Sequence, residues 1–377
     1  FPLAFIARPI GGAVFGHFGD RIGRKGALIA TLLITGLATF AVGFVPTYSQ
    51  VGIWGAVILT IIRFIQGIGV GGEWGGSVLL SMEWARTNNH RGFIASWPQF
   101  GGPAGLFLAN MAVLIGSAVS GDQFLVWGWR IPFMFSIIMV GIGLYIRLGI
   151  LETPTFRRIV AEERVERLPV IEVLKLQPKQ VILAALARTA EQGPAYIYLA
   201  FVFAYGTQVL HQPRDFLLTS LLAAGLISFV TIPLAGALSD RFGRKRIYII
   251  GSVLTGIFGF IYFAILDTMV PGWIFLGIVL SFVPHDLMYG PQAALIAECF
   301  TLRLRYSGAS IGYQLASLTA GGPAPLIATA LLAAYGSGYA IAVYIAVCAV
   351  ISVVATMMMP DYTGREMGHY EFRNGEL

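Results

Sequence analysis

Residues 26–62 contain no Asp, Glu, Lys or Arg, and residues 306–360 again contain none, giving runs of 37 and 55 residues. About 20 apolar residues in a helix cross the hydrocarbon core of a bilayer, so each run holds two crossings. The first breaks at Pro46-Thr47-Tyr48-Ser49-Gln50 and the second turns at Tyr335-Gly336-Ser337-Gly338. Applied along the whole chain, the same rule predicts eleven spans: 1–18, 26–46, 52–82, 92–119, 129–150, 180–208, 216–238, 247–266, 272–298, 306–333 and 338–359. Composition agrees, with 56% hydrophobic and 12% charged residues, where a soluble domain carries about 25% charged.

The charges say which way the spans run. The longest polar stretch, 152–179, holds Arg157, Arg158, Arg164, Arg167, Lys175 and Lys179 and leaves five spans before it and six after. With the loop after the first span placed inside, the inside segments and tail carry 19 of the 25 Lys and Arg, and the outside loops carry only Arg130 and Arg214. Cytoplasmic loops are enriched in this way. The net charge of +6 is therefore a topology signal and not a nucleic-acid footprint. Cys299 and Cys348 both lie in apolar runs, so neither a disulfide framework nor a metal-ligand spacing is visible.

An internal repeat divides the chain. Gly16-His17-Phe18-Gly19-Asp20-Arg21-Ile22-Gly23-Arg24-Lys25 recurs as Gly236-Ala237-Leu238-Ser239-Asp240-Arg241-Phe242-Gly243-Arg244-Lys245, and Gly101-Gly102-Pro103-Ala104 recurs as Gly321-Gly322-Pro323-Ala324. Both pairs share one offset, 220 residues, and both copies keep the same inside topology, the pattern of parallel repeats about an axis along the membrane normal. The expected organisation is an N-terminal helical bundle (1–151), a cytoplasmic linker (152–179), a C-terminal bundle (180–360) and a cytoplasmic tail (361–377). Symmetry asks for six helices in each half. The first half has five, so a further helix is expected upstream of Phe1.

The Gly16–Lys25 loop resembles the signature loop of the major facilitator superfamily, and its second copy sits where that family places a counterpart. Further stretches narrow the resemblance to the metabolite:proton symporter family, carriers for shikimate, 2-oxoglutarate, citrate and proline/betaine. They are Arg8-Pro9-Ile10-Gly11-Gly12, Arg63 to Gly76, Tyr289-Gly290-Pro291-Gln292 and Arg305 to Gln314. The resemblance implies an all-α integral membrane protein with the major facilitator fold, two six-helix bundles related by pseudo-twofold symmetry with the first helix absent. It implies proton-coupled symport of a small organic solute, a carboxylate or zwitterion, by alternating access in the bacterial inner membrane. The expected partners are the lipid bilayer, the solute and protons. A monomer is expected, with no cofactor, metal or nucleic acid. An antiporter of the same fold is the main alternative, invited by Gly101-Gly102-Pro103; a non-transporting membrane sensor is another.

The physical reading of the repeated loop agrees. A connection of about seven residues forces its flanking helices to lie antiparallel and adjacent. Gly16 and Gly19 permit close approach of a neighbouring helix. Asp20 can satisfy the positive end of a facing helix and pair with Arg24. In similar carriers such a cluster latches the cytoplasmic side in the outward-open state. That role is carried onto Gly16, Asp20, Arg21, Gly23 and Arg24, and onto Asp240, Arg241, Gly243 and Arg244. A solvated loop that only sets topology is the alternative.

Charges within spans mark candidate sites, since a central Arg costs about 2.5–3.5 kcal/mol on insertion scales. Arg63 is expected near acidic groups, where it tunes their protonation. Glu73, among glycines, is a candidate protonation site or one arm of an ion pair to another helix. Arg188 and Glu191 open the first helix of the second half and share a face at i and i+3, with Tyr196 following. They can bind a carboxylate and relay a proton, or form a bridge near the cytoplasmic face. His285-Asp286 lies beside Pro284, Gly290 and Pro291, which predict a broken or kinked helix there; the pair either titrates or packs. Arg8 is the leading candidate for an anionic substrate, or else a contact to the upstream helix. Tyr289, Gln292, Tyr313, Gln314 and Gln99 are candidate cavity linings, with core packing as the alternative. Proton coupling is thus assigned to Arg63, Glu73, Glu191 and Asp286, and substrate binding to Arg8, Arg188, Tyr196, His285, Tyr289, Gln292, Tyr313 and Gln314.

Overall fold

The structure, a computed structural model, describes residues 2–85, 90–161 and 166–364. Arg164 with its linker neighbours 162–165, and the tail from 365 onward, lie outside the described residues. Every regular element among the described residues is helical.

In chain order they are α1 (Pro2–Arg21), α2 (Arg24–Val42), the short α3 (Tyr48–Val51), α4 (Trp54–Glu83), α5 (Arg91–Ser120) and α6 (Arg130–Gly149). The linker carries α7 (Pro154–Ala161) and α8 (Pro169–Leu176). Then follow α9 (Pro178–Ala187), α10 (Thr189–Tyr196), α11 (Val202–Gln208), α12 (Arg214–Phe242), α13 (Arg244–Leu266), α14 (Pro271–Glu298), α15 (Arg305–Ala316), α16 (Ala324–Tyr335) and α17 (Gly338–Met358). Among the described residues, nine helical stretches are long and apolar enough to cross a membrane. Their exposed rows are apolar, as Leu226, Val230 and Leu234 on α12 and Val343, Val347 and Val350 on α17 illustrate. Such rows suit hydrocarbon rather than water.

Three local features depart from expectation. The seven-residue loop shrinks to Ile22-Gly23 between α1 and α2, because Gly23 at φ 125° turns the chain in one step; Gly243 at φ 97° does the same between α12 and α13. An L side chain is strained in that region. The expected break in α14 is absent: the helix runs unbroken through Pro284 and Pro291. A proline removes one backbone bond, and close packing between α12 and α13 holds the helix together. The breaks fall elsewhere. Arg188 separates α9 from α10, so Arg188 and Glu191 lie ten residues into this span instead of opening it. π-helical turns at Ile197–Phe201 and Ser317–Gly321 interrupt the α10–α11 and α15–α16 stretches. In the second of these, the Gly322 amide reaches back five residues to the Ser317 carbonyl at 2.9 Å. Such turns gather at functional sites.

Packing follows the repeat. α1 lies against α4 and α15, and its counterpart α12 lies against α14 and α5. Glycines allow these approaches: a Cβ on Gly16 would stand 2.7 Å from Ser307 Cα, and one on Gly236 would stand 2.8 Å from the Gly92 carbonyl oxygen.

Candidate functional site

A cavity of about 620 Å³ lies between α1, α4 and α5 on one side and α10, α11, α12, α14 and α15 on the other. Arg8, Arg188, Glu191, Tyr196, His285, Asp286, Tyr289, Tyr313 and Gln314 all line it, so residues scattered over 300 positions converge. Arg188 is fully buried. Its Nε donates to Glu191 Oε2 at 3.0 Å, and its two Nη groups donate to the Tyr313 carbonyl and to Gln192 Oε1. Glu191 Oε1 is 3.6 Å from His285 Nε2, and His285 Nδ1 is 3.0 Å from Asp286 Oδ1. Asp286 in turn accepts from the Thr231 hydroxyl. The result is a continuous buried chain, Arg188–Glu191–His285–Asp286, along one wall. Buried charge is tolerable only when paired and hydrogen-bonded, as it is here.

Arg8 differs. Its Nη1 donates to the Tyr196 hydroxyl at 3.2 Å, and the guanidinium lies 4.6 Å over the Phe5 ring. Its Nε is buried with no hydrogen-bond partner, and no carboxylate among the described residues bridges it. On the inner side, the Trp74 and Tyr313 rings stack at 3.6 Å. Gln292 does not line the cavity; its Nε2 donates to Glu191 Oε2 and to the Tyr248 hydroxyl, both at 3.1 Å.

The repeated loops form two matching clusters. Asp20 accepts the Tyr306 and Ser307 amides at 3.2 and 2.8 Å, capping α15 from another helix, with Arg24 Nη2 3.4 Å from Oδ1. Asp240 accepts the Gly92 and Phe93 amides, both at 2.8 Å, capping α5, with Arg244 Nη2 at 3.3 Å. In both places a carboxylate meets the positive end of a helix. Glu298 bridges Arg244 and Arg91, and Arg24 Nε is 3.6 Å from Glu83. Arg21 and Arg241, expected in the latch, are exposed.

Two expected proton sites lie away from the cavity. Glu73 pairs with Arg147 of α6 at 2.6 Å, and Arg147 also donates to the Leu28 carbonyl at 2.5 Å. One helical face separates Glu73 from its neighbour Trp74, which does reach the cavity. Arg63 is exposed on the outer half of α4 and donates to Gln66 at 3.1 Å.

The family profile "Sugar (and other) transporter" matches residues 1–174 and the profile "Major Facilitator Superfamily" matches residues 199–371. The shikimate transporter of Escherichia coli K12 is 40% identical over 96% of this chain and 83% of its own length. The chain belongs to the major facilitator superfamily. Other relatives in this superfamily are the inner membrane metabolite transport protein YhjE of Escherichia coli, 37% identical over 95% of this chain and 82% of its own, and that organism's proline/betaine transporter, 31% identical over 97% and 75%. The proton:xylose symporter XylE has the same fold, with TM-score 0.79 at 19% identity over 98% of this chain and 87% of that one. This major facilitator is a multi-pass transporter of the plasma membrane and not an enzyme.

Sequence reasoning missed Glu83, Arg91, Glu298, Gln192, Thr231 and Tyr248. Glu83 and Glu298 both close the helix preceding a latch, but they stand 215 residues apart, so the 220-residue repeat does not align them.

Proposed function

We propose that this transporter is a proton-coupled symporter that moves a small organic carboxylate or zwitterion by alternating access, here in its outward-facing form. One observation carries the reading: an uncompensated Arg8 on one side of the cavity faces the Arg188–Glu191–His285–Asp286 chain on the other. Arg8 supplies the charge for a solute carboxylate, since charge-assisted bonds from Arg to carboxylate are strong and directional. Tyr196, Tyr289 and Gln314 supply neutral contacts. Glu191 and Asp286 exchange the proton, with His285 between them. Arg63 and Glu73 have no part in this scheme.

The two capped seams hold the cytoplasmic side shut. The cavity lining extends along Leu106 and Asn110 of α5 and Leu218 and Leu222 of α12, toward the outer start of α12. That direction supports the outward-facing assignment. The bundles are 1–151 and 180–360, joined by the linker 152–179. Besides the nine spans, α1 and the interrupted α9–α11 also cross, making eleven.

The test is uptake into proteoliposomes with an imposed inward proton gradient, using shikimate, proline and glycine betaine, substrates suggested by the names of the relatives. Symport gives accumulation above equilibrium that a protonophore collapses. Proton-driven expulsion would instead identify an antiporter, and flux indifferent to the gradient would refute proton coupling.

A further inference from the structure

The buried amides beneath the cavity are all oriented one way. The indole Nε1 of Trp74 can only donate, and it donates to Gln99 Oε1 at 2.7 Å. This turns the Gln99 NH2 away from Trp74, toward the Tyr289 carbonyl at 3.2 Å and Gln292 Oε1 at 3.4 Å. The Gln292 NH2 is then directed onto Glu191 Oε2 at 3.1 Å. A second constraint supports the orientation of Gln292. Tyr248 gives its own hydroxyl proton to the Ala187 carbonyl at 2.9 Å, so toward Gln292 it accepts. Gln99 and Gln292 are 1% and 0% exposed, so water does not substitute for these bonds.

The chain crosses the molecule. Trp74 and Gln99 stand on α4 and α5; Gln292 and Glu191 stand on α14 and α10. Along this series each bond leads one step nearer the Glu191 carboxylate, with side branches from Gln99 to the Tyr289 carbonyl and from Gln292 to the Tyr248 hydroxyl, and hydrogen bonds in series polarise one another. We infer that the Trp74–Gln99–Gln292 relay couples the charge of Glu191 to closure of the two bundles beneath the cavity, an inference that rests on the alternating-access reading above. Charged Glu191 is a strong terminal acceptor and holds the α5–α14 seam shut. A neutral Glu191 weakens the last bond and, through it, the one that crosses the seam. Gln99 and Gln292 are positioning residues here, since neither lines the cavity. Glu191 also faces Arg188 on its own span, His285, Asp286 and Tyr289 on α14, Tyr248 on α13, Tyr313 on α15 and, across the cavity, Arg8 on α1.

The test separates this coupling from a general role in packing. Spin labels at Ile22→Cys and Phe242→Cys, both exposed at the cytoplasmic face of opposite halves, report opening by distance. Cys299 and Cys348 are buried and stay unlabelled. In the otherwise unaltered chain, Glu191→Gln is expected to raise the open fraction about fivefold, the difference between a charged and a neutral acceptor. In a Gln99→Met or Gln292→Met background, that response to Glu191→Gln shrinks to less than about twofold. A merely structural amide would shift both backgrounds equally and keep the fivefold response. Trp74→Phe keeps the ring stack and removes only the N–H that orients Gln99, so it reports even if the Met variants do not fold; its response is intermediate. A full response surviving in all three variants overturns the relay, as does the absence of any response to Glu191→Gln in the parent. Failure of the transport reading appears separately, as lack of solute uptake by the parent protein.

Discussion

Replacing Asp20 with Asn tests the latch most directly. Asp20 offers one carboxylate oxygen to each of two amides, Tyr306 at 3.2 Å and Ser307 at 2.8 Å, with Arg24 3.4 Å away. Asn keeps one acceptor and turns an NH2 against the second amide. A hydrogen bond to a charged group contributes about 1.5–3 kcal/mol, and a charge at a partly buried helix end up to about 2 kcal/mol. The same amides supply both effects, so the terms overlap and the loss is roughly 3 kcal/mol instead of their sum. In the proposed alternating access α1 and α15 part on opening, so the loss falls only on the cytoplasmically closed state. At about 1.4 kcal/mol per decade, the open-to-closed ratio rises about 100-fold. Ser96 of α5 is a suitable reporter: it is fully buried and packs against Gly236, on the seam that Asp20 does not touch. With Cys299 and Cys348 changed to Ala, the rate at which Ser96→Cys reacts with an impermeant maleimide in inside-out vesicles should rise about 100-fold in Asp20→Asn. Asp240→Asn, which breaks two matching amide contacts, should behave alike. Labelling within about threefold of the parent in both variants, with the protein still monodisperse, would refute the latch and the arithmetic behind it.

Three further outcomes are expected. Arg8→Gln should raise the KM for a carboxylate solute by about 30-fold or more, from the loss of a charge-assisted bond, and leave exchange of an uncharged solute nearly unchanged; equal effects on both would remove Arg8 from anion binding. Glu73→Gln should keep gradient-driven accumulation within about twofold of the parent in proteoliposomes, since its pair with Arg147 is partly exposed and remote from the cavity; loss of coupling would restore Glu73 as a proton site. Gly23→Ala should lower the unfolding midpoint in detergent more than Gly243→Ala. Both combine positive φ with extended ψ, which costs an L residue about 1–3 kcal/mol, but a Cβ at position 23 also collides with Glu152, whereas at 243 the nearest atom, Asp361 Oδ2, stands 3.6 Å off.

Everything legible in the order of the residues is a chain-local quantity. The lengths of charge-free runs, the side on which Lys and Arg collect, and the repeat at 220 residues determine a membrane-crossing helical chain, its orientation and the family it resembles. They also single out Arg8, Arg188, Glu191 and His285, because a polar side chain inside an apolar run is conspicuous at any position. Partner choice is different, since it depends on how each helix is rotated and which helix it meets. Glu73 and Trp74 are adjacent in the chain, yet one turns to Arg147 and the other to the cavity. Glu298 reaches Arg91 across 207 positions, and Gln99 reaches Gln292 across 193. Even the interruptions in the helices fall at Arg188 and two π turns rather than at the prolines of α14. A proline's local cost is offset by neighbours, and only packing against those neighbours decides where a helix yields.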